Sequence, residues 1–311
     1  MVFNSIFFIF CFLPVFMLIY YLVPGKLRNL LLFLGSLIFY AWGEPVYVIL
    51  MLFSSIFNYY MGTELERLYY DDRKQKINLI FSIIINLAVL VFFKYYGFLL
   101  NTIGGIIGIH IPHPELSLPI GLSFYTFRNL SYLFDIYLSK VSAQRNFLTF
   151  AVYSTMFPYT SAGPIVRYTD IETQLKQRTI NISKFGIGAE LFVKGLAKKV
   201  LLADNLSVLY SSICGHPQMS VFTSWLGILA YTMQLYFDFS GYSDMAIGLG
   251  KMLGFDFNKN FDYPYISTSV SEFWRRWHIS LGSWFRDYIY IPLGGNRVST
   301  LKHIRNILVV W

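Results

Sequence analysis

Charged residues make up only 14% of this 311-residue chain, against roughly 25% in a soluble globular domain. That scarcity excludes an ordinary soluble fold. With 55% hydrophobic and 19% aromatic residues, the composition is that of a polytopic membrane protein. Cysteine is nearly absent. Cys11 and Cys214 lie far apart in apolar surroundings, so neither a disulfide framework nor a cysteine-based metal site is expected. Residues 1–25 carry no charge at all. The missing basic leader argues against a cleaved signal peptide, and the apolar stretch suffices for a retained first spanning helix. The chain also lacks HExxH, a GxSxG elbow, a phosphate-cradling glycine loop and a Cys/His nucleophile pair. Support for metallohydrolase, soluble-hydrolase and nucleotide-hydrolysing chemistry is therefore missing, and no metal site is expected.

What the chain does contain is long apolar runs, at about 2–23, 30–40, 46–60, 77–93 and 116–137, separated by short charged or Gly/Pro-containing loops. The net charge of +8 sits in those loops, as in cytoplasmic membrane loops, so nucleic acid is not an expected partner. Lys26 and Arg28, then Arg67, Arg73, Lys74 and Lys76, mark internal loops, while residues 43–45 and 101–116 lack Lys and Arg. The N-terminus is then outside, with His110 and His113 in an outer loop. Lys94 breaks the pattern and is expected to snorkel outward or to face the protein interior. The run 146–166 is flanked on both sides by basic residues and contains FPYTSAGP. A simple crossing would violate the charge rule, so a re-entrant hairpin lining a cavity is expected. Residues 169–204 read as charged, amphipathic and cytoplasmic. Two further crossings follow over 205–237, broken by an outer GHPQ loop that holds His216. With no internal repeat or linker, 1–311 reads as one membrane domain.

Two segments hold the candidate chemistry. In YFDFSGYSDMAIGLGKMLGF, Asp238 and Asp244 sit beside an apolar helix, where a carboxylate needs a partner or a task. Six residues apart, they share no helical face unless SGYS bends. Either caps a helix or pairs with Arg275 or Arg276, or both contact substrate. The second segment is FWRRWHISLGSWFRDYIYIPLGGNR over 273–297. Wound as one helix, Trp274, Trp277, His278, Leu281, Trp284, Phe285 and Tyr288 share one face, and Arg275, Arg276, Ser280, Ser283, Arg286 and Asp287 the other. Such a helix lies in the interface or plugs sideways into a membrane domain. His278, shielded by Trp274 and Phe285, would stay neutral, the state a general base needs. Arg275, Arg276, Arg286 and Arg297 either receive donor phosphates or merely obey the loop charge rule. His303 lies in a basic inner segment with no metal-binding pattern.

Six ordered blocks, MVFNSIFFIFCFLP, FYAWGEPVYVILML, GLSFYTFRNLSYLFDIY, FPYTSAGPIVRY, DFSGYSDMAIGLGKMLGFDF and FWRRWHISLGSWFRDYIYIPLGGNR, together resemble the membrane-bound O-acyltransferase (MBOAT) family, in the branch of alginate O-acetyltransferase membrane subunits. The resemblance implies an all-α, multi-pass protein of the bacterial inner membrane, with transmembrane and re-entrant helices around a central tunnel. It also implies transfer of an acyl group, acetyl above all, from a cytoplasmic thioester donor, acetyl-CoA or an acyl-carrier thioester, to hydroxyls of an extracytoplasmic polysaccharide or cell-wall polymer. No bound cofactor is implied. The partners would be that donor, an extracytoplasmic acyltransferase, the polymer and membrane lipids. An acyl-transport or scaffold subunit is the alternative.

The resemblance makes His278 the first of two family histidines. The second lies in a Trp-His-Gly block one helix beyond the block that reads RNILVVW here, and the sequence stops at Trp311. The chain therefore reads as lacking its C-terminal part, a fragment or an inactive remnant. Arg128, in FYTFRNLSY, stands where the family pattern has an uncharged polar residue. It is expected to find a counter-ion such as Asp135.

Overall fold

The computed structural model describes residues 1–109, 112, 116–216 and 220–310. His110, His113, Pro217 and Gln218 of GHPQ, and Met219 after it lie outside them. Among the described residues the structure is all-helical, with thirteen α-helices and no strand. The chain divides into two compact units, one of Met1–Leu22, Ala162–Val166 and Asp170–Trp311, the other of Val23–Ser161 and Arg167–Thr169.

The second unit holds α2 (Arg28–Gly43), α3 (Val48–Arg67), α4 (Asp72–Ile107), α5 (Leu122–Tyr137) and α6 (Phe147–Thr155). Helices α3 and α4 are long and apolar enough to cross a membrane. Asp71 starts α4 by accepting the Lys74 backbone N–H, and Gly108 ends it in the left-handed conformation, so α4 runs 14 residues past the expected end at Phe93. Lys94 points outward beside the Tyr95 ring, with Nζ 5.5 Å from its centre, rather than into the protein. The helices are joined by a buried polar layer. The amides of Asn58 and Asn86 exchange hydrogen bonds of 3.0 and 2.9 Å. Asn129 donates to Ser54 Oγ and accepts from Ser154 Oγ. Inside apolar helices such groups have no water to fall back on, so mutual satisfaction fixes register.

Helix α6 has nine residues, roughly 14 Å, and stops at a 3₁₀ turn over Phe157–Tyr159. The segment expected to be re-entrant is thus a broken helix rather than a simple span. Arg128 explains how the break is held. Its fully buried guanidinium donates to the carbonyls of Tyr159 (2.6 Å) and Ser154 (2.9 Å) and stacks 4.5 Å from the Tyr159 ring centre. Asp135 is not its counter-ion and pairs with Lys140. A guanidinium suits this place because its planar fork reaches two carbonyls while its face lies on an aromatic ring.

In the first unit, a π-helical turn over Phe8–Phe12 runs into α1 (Leu13–Leu22). Pro14 lacks the N–H of a regular helix, and the widened turn before it takes up the mismatch. Helix α7 (Tyr168–Lys176) runs across the division between units; in the first unit α8 (Ile182–Ala197), a π-helical stretch over Lys198–Ala203 and α9 (Asp204–Cys214) follow one another without a gap. The expected boundary near Asp204 is therefore absent. Helix α10 (Val221–Met252) is likewise unbroken through SGYS, so that segment does not bend.

The reason α8 and α10 can approach so closely is four glycines. A Cβ on Gly188 would lie 2.6 Å from the Gly248 carbonyl oxygen, and one on Gly195 would lie 2.5 Å from that of Gly241. The pairs are seven residues apart on each helix, so they recur on one face and bring the two backbones into contact.

Candidate functional site

The segment FWRRWHISLGSWFRDYIYIPLGGNR is not one helix. Helix α11 (Val270–Arg276) and helix α12 (Ile279–Phe285) are separated by Trp277 and His278, and His278 takes a left-handed backbone conformation, φ 43°. For a non-glycine residue this costs on the order of 1–3 kcal/mol and persists only where surroundings impose it. Here a neighbouring strip of chain imposes it. Ile279 N–H donates to the Asn260 carbonyl and Asp262 N–H to the Arg276 carbonyl, both at 2.9 Å. These bonds replace the helical ones that a continuous winding would have made. Tyr263, at the end of the strip, also has positive φ, 46°. The start of α11 is a variant capping box: Ser269 accepts the Glu272 N–H, and Glu272 reaches one residue past the cap to accept from the backbone and hydroxyl of Thr268.

The break puts His278 in an aromatic shell. Its ring meets Phe239 of α10 edge-on at 4.7 Å and lies parallel to Phe261 at 6.4 Å. Trp277 packs against Tyr236, Phe261, Tyr265 and Phe273. On its polar side, His278 Nδ1 is 3.0 Å from Asn260 Oδ1. Asn260 is 1% exposed. Its Oδ1 also accepts from the Ser280 hydroxyl (2.8 Å) and backbone N–H (3.3 Å), and its Nδ2 donates to Ser243 Oγ (3.0 Å). Ser280 Oγ in turn accepts the Ile165 N–H at 2.9 Å. A cavity of about 440 Å³ opens beside the ring, lined by Trp274, Trp277, His278, Leu281, Gly282, Phe285 and Val310. His278 belongs to neither spanning helix, and burial pushes its imidazole down to about 4. At neutral pH it is an uncharged base.

The expected aromatic face therefore survives the break, because Trp274, Trp277, Leu281 and Phe285 line the cavity with His278. Trp284 and Tyr288 instead are buried against each other, 5.3 Å apart. The expected polar face does not survive. Ser280 is buried in the Asn260 network, and the arginines differ from one another. Arg276 is committed to Glu272 (2.9 Å) and Asp262 (3.7 Å). Arg286 forks onto its neighbour Asp287. Arg275 is exposed and makes no ion pair among the described residues.

Neither Asp238 nor Asp244 pairs with Arg275 or Arg276. Asp238 takes Lys199 at 2.8 Å and Asp244 takes Lys198 at 2.6 Å. The residues of α10 that reach His278 and Asn260 are Phe239 and Ser243, four apart and so on one face. Sequence reasoning missed Asn260, Phe239, Phe261, Ser243 and Ser280. The visible signals were the Ser269–Glu272 capping box, which starts α11 three residues before Phe273, and the aromatic, Pro-containing FDYPY strip. Among the described residues no group of His, Cys, Asp and Glu is arranged to hold a metal.

The family model described as MBOAT, membrane-bound O-acyltransferase family, matches residues 46–311. A probable alginate O-acetylase of Pseudomonas aeruginosa is 45% identical over 313 residues, covering 99% of this chain and 60% of the relative. A peptidoglycan O-acetyltransferase of Helicobacter pylori is 35% identical, covering 100% and 65%. A teichoic acid D-alanyltransferase of Bacillus subtilis is 30% identical, covering 58% and 47%. The chain thus spans under two thirds of the length of these relatives.

Proposed function

Because the chain belongs to the membrane-bound O-acyltransferase family, we propose that it is part of a membrane enzyme that moves an acyl group, acetyl above all, from a thioester donor to a hydroxyl of an extracytoplasmic polysaccharide or cell-wall polymer. The observation that carries this reading is a neutral, half-buried His278 beside an aromatic cavity of about 440 Å³. The named relatives act on alginate, peptidoglycan and teichoic acid, all polymers outside the cytoplasm, which supports an acceptor of that class.

The chemistry asked of the chain is modest. The imidazole accepts the hydrogen of the acceptor hydroxyl, directly or in concert with the family's downstream histidine. The hydroxyl oxygen then bonds to the thioester carbonyl carbon, the C–S bond breaks, and the proton ends on the departing sulfur. An uncharged imidazole can take that proton, whereas an imidazolium cannot. The apolar walls of Trp274, Trp277, Leu281 and Phe285 offer water few hydrogen-bond partners, which disfavours hydrolysis of a thioester beside them. Arg275, exposed and without an ion pair among the described residues, is the arginine best placed to meet phosphates of an acetyl-CoA or carrier donor, with Arg276 bracing its helix. In this reading the helices surround a tunnel in the bacterial inner membrane, with an extracytoplasmic acyltransferase as partner on the acceptor side.

The test is transfer of labelled acetyl from acetyl-CoA and from an acyl-carrier thioester, in membranes holding the full-length protein with the downstream histidine block. His278→Ala is expected to lower transfer roughly 10²- to 10⁴-fold, the usual contribution of a general base. A loss under about tenfold assigns His278 to packing and overturns the reading.

A further inference from the structure

Asn260 faces His278 with an atom whose identity can be deduced. The backbone N–H of Ser280 can only donate, and it lies 3.3 Å from the Asn260 side-chain atom that also faces His278 Nδ1 at 3.0 Å. An amide NH₂ there would set hydrogen against hydrogen, so the facing atom is Oδ1. The other end agrees, since Nδ2 then has the Ser243 hydroxyl as acceptor at 3.0 Å. The Ser280 hydroxyl accepts from Ile165 N–H and gives its own hydrogen to Oδ1 at 2.8 Å. Oδ1 is thus an acceptor with no hydrogen to offer. An unprotonated Nδ1 at 3.0 Å would set its lone pair against those of Oδ1 inside a buried site, and the Ser280 hydroxyl, 3.5 Å from Nδ1 but 2.8 Å from Oδ1, gives its hydrogen to the nearer oxygen.

We propose that Asn260 is a positioning residue that holds the proton of neutral His278 on Nδ1, leaving the lone pair on Nε2 as the ring's single acceptor for the acceptor hydroxyl. This deepens the function proposed above and rests on it only for the last clause. The left-handed backbone at His278 acquires a purpose. It lets the Asn260 backbone carbonyl take Ile279 N–H while the same residue's side chain takes the imidazole, so one residue sets both the bend and the tautomer. An ordinary packed histidine needs neither. The ring's described neighbours are Phe239, Phe261, Asn260 and Ser280, and none of them titrates near neutrality. Of the two polar neighbours the amide oxygen is the nearer to Nδ1, 3.0 Å against 3.5 Å for the Ser280 hydroxyl, so it selects between tautomers, as orienting partners do in catalytic and metal-bound histidines.

The test uses the full-length protein in lipid nanodiscs with ¹⁵N-labelled histidine, the His278 signals being assigned by their loss in His278→Gln. Protonated Nδ1 and bare Nε2 are expected at neutral pH, and an Nε2–H tautomer would overturn the proposal. Asn260→Ala should give a mixture of tautomers and lower kcat roughly 10- to 100-fold with the donor KM within about twofold. Asn260→Asp keeps an acceptor at Oδ1 and adds a negative charge, which favours the imidazolium. It should retain the Nδ1–H tautomer, recover much of the lost rate near pH 8 and move the acid limb of the pH profile upward by about one unit or more. An unchanged tautomer in Asn260→Ala, or a pH profile unmoved in Asn260→Asp, would contradict the assignment. Activity of His278→Gln distinguishes the two levels: full transfer there removes the proposed function, whereas the nitrogen signals judge Asn260 independently.

Discussion

Arg128 in the second unit and His278 in the first are both polar side chains packed among aromatic rings, yet their surroundings are opposite in kind. Arg128 gives two guanidinium nitrogens to the Tyr159 and Ser154 carbonyls and lies on the Tyr159 ring, on a regular helix, with its buried Nε lacking a hydrogen-bond partner among the described residues. His278 has one nitrogen tied to Asn260, a strained backbone, and a cavity against its ring. Where a buried group on a regular helix spends its hydrogen bonds on backbone carbonyls, it acts as structure. Where strain and open space coincide, the fold has spent stability on something other than itself. The difference separates a charge that holds a broken helix in place from a base that awaits a substrate.

The largest effect expected on this comparison comes from the frame of the His278 region. Phe239 and Ser243 reach the histidine because α10 lies against α8 along the glycine seam. Gly195→Leu should destabilise the protein by more than about 3 kcal/mol, since backbone rather than a movable side chain blocks the new group. Gly186→Leu on the same helix, with no atom within 4 Å of an added Cβ, should leave thermal stability in detergent unchanged. Equal melting of the two variants would show that the seam does not set the site. A smaller effect separates the residues of α10 that touch His278 and Asn260 from their neighbours. Asp238→Asn and Asp244→Asn remove partly exposed pairs with Lys199 and Lys198, worth about 1 kcal/mol or less each. Acyl transfer should stay within about twofold of wild type. A loss of tenfold or more at normal expression would restore the expected role of these carboxylates in substrate binding.

Much of this arrangement was legible in the sequence, and the parts that were not share a cause. Apolar runs and basic loops located the helices, and FPYTSAGP announced the broken segment around α6, because those signals are local. The aromatic wall of the His278 cavity was also readable from helical spacing, even though the helix breaks, since Trp274, Trp277, Leu281 and Phe285 return to one cavity. The break itself depends on hydrogen bonds to Asn260 and Asp262, 14 or more residues away, and no periodicity records such a bond. The same holds for Arg128, whose partners are backbone carbonyls and a ring that only the tertiary fold supplies. The lysine partners of Asp238 and Asp244 were not legible, because Lys198 and Lys199 lie on a helical run continuous from Ile182 to Cys214, whereas 169–204 reads from sequence as an amphipathic cytoplasmic stretch set apart from the crossings that follow.

The claim that one region does structure and the other chemistry is tested most directly by measuring stability and acyl transfer together in Arg128→Met and His278→Gln of the full-length protein. Arg128→Met leaves the Ser154 and Tyr159 carbonyls without donors, and hydrogen bonds to a charged group are worth about 1.5–3 kcal/mol each. It should lower the melting temperature clearly while transfer per folded molecule stays within about threefold. His278→Gln keeps most of the ring's volume, so it should melt close to wild type and lose at least a hundredfold in transfer. The opposite pattern, a stable Arg128→Met with little transfer beside an active His278→Gln, would contradict the account.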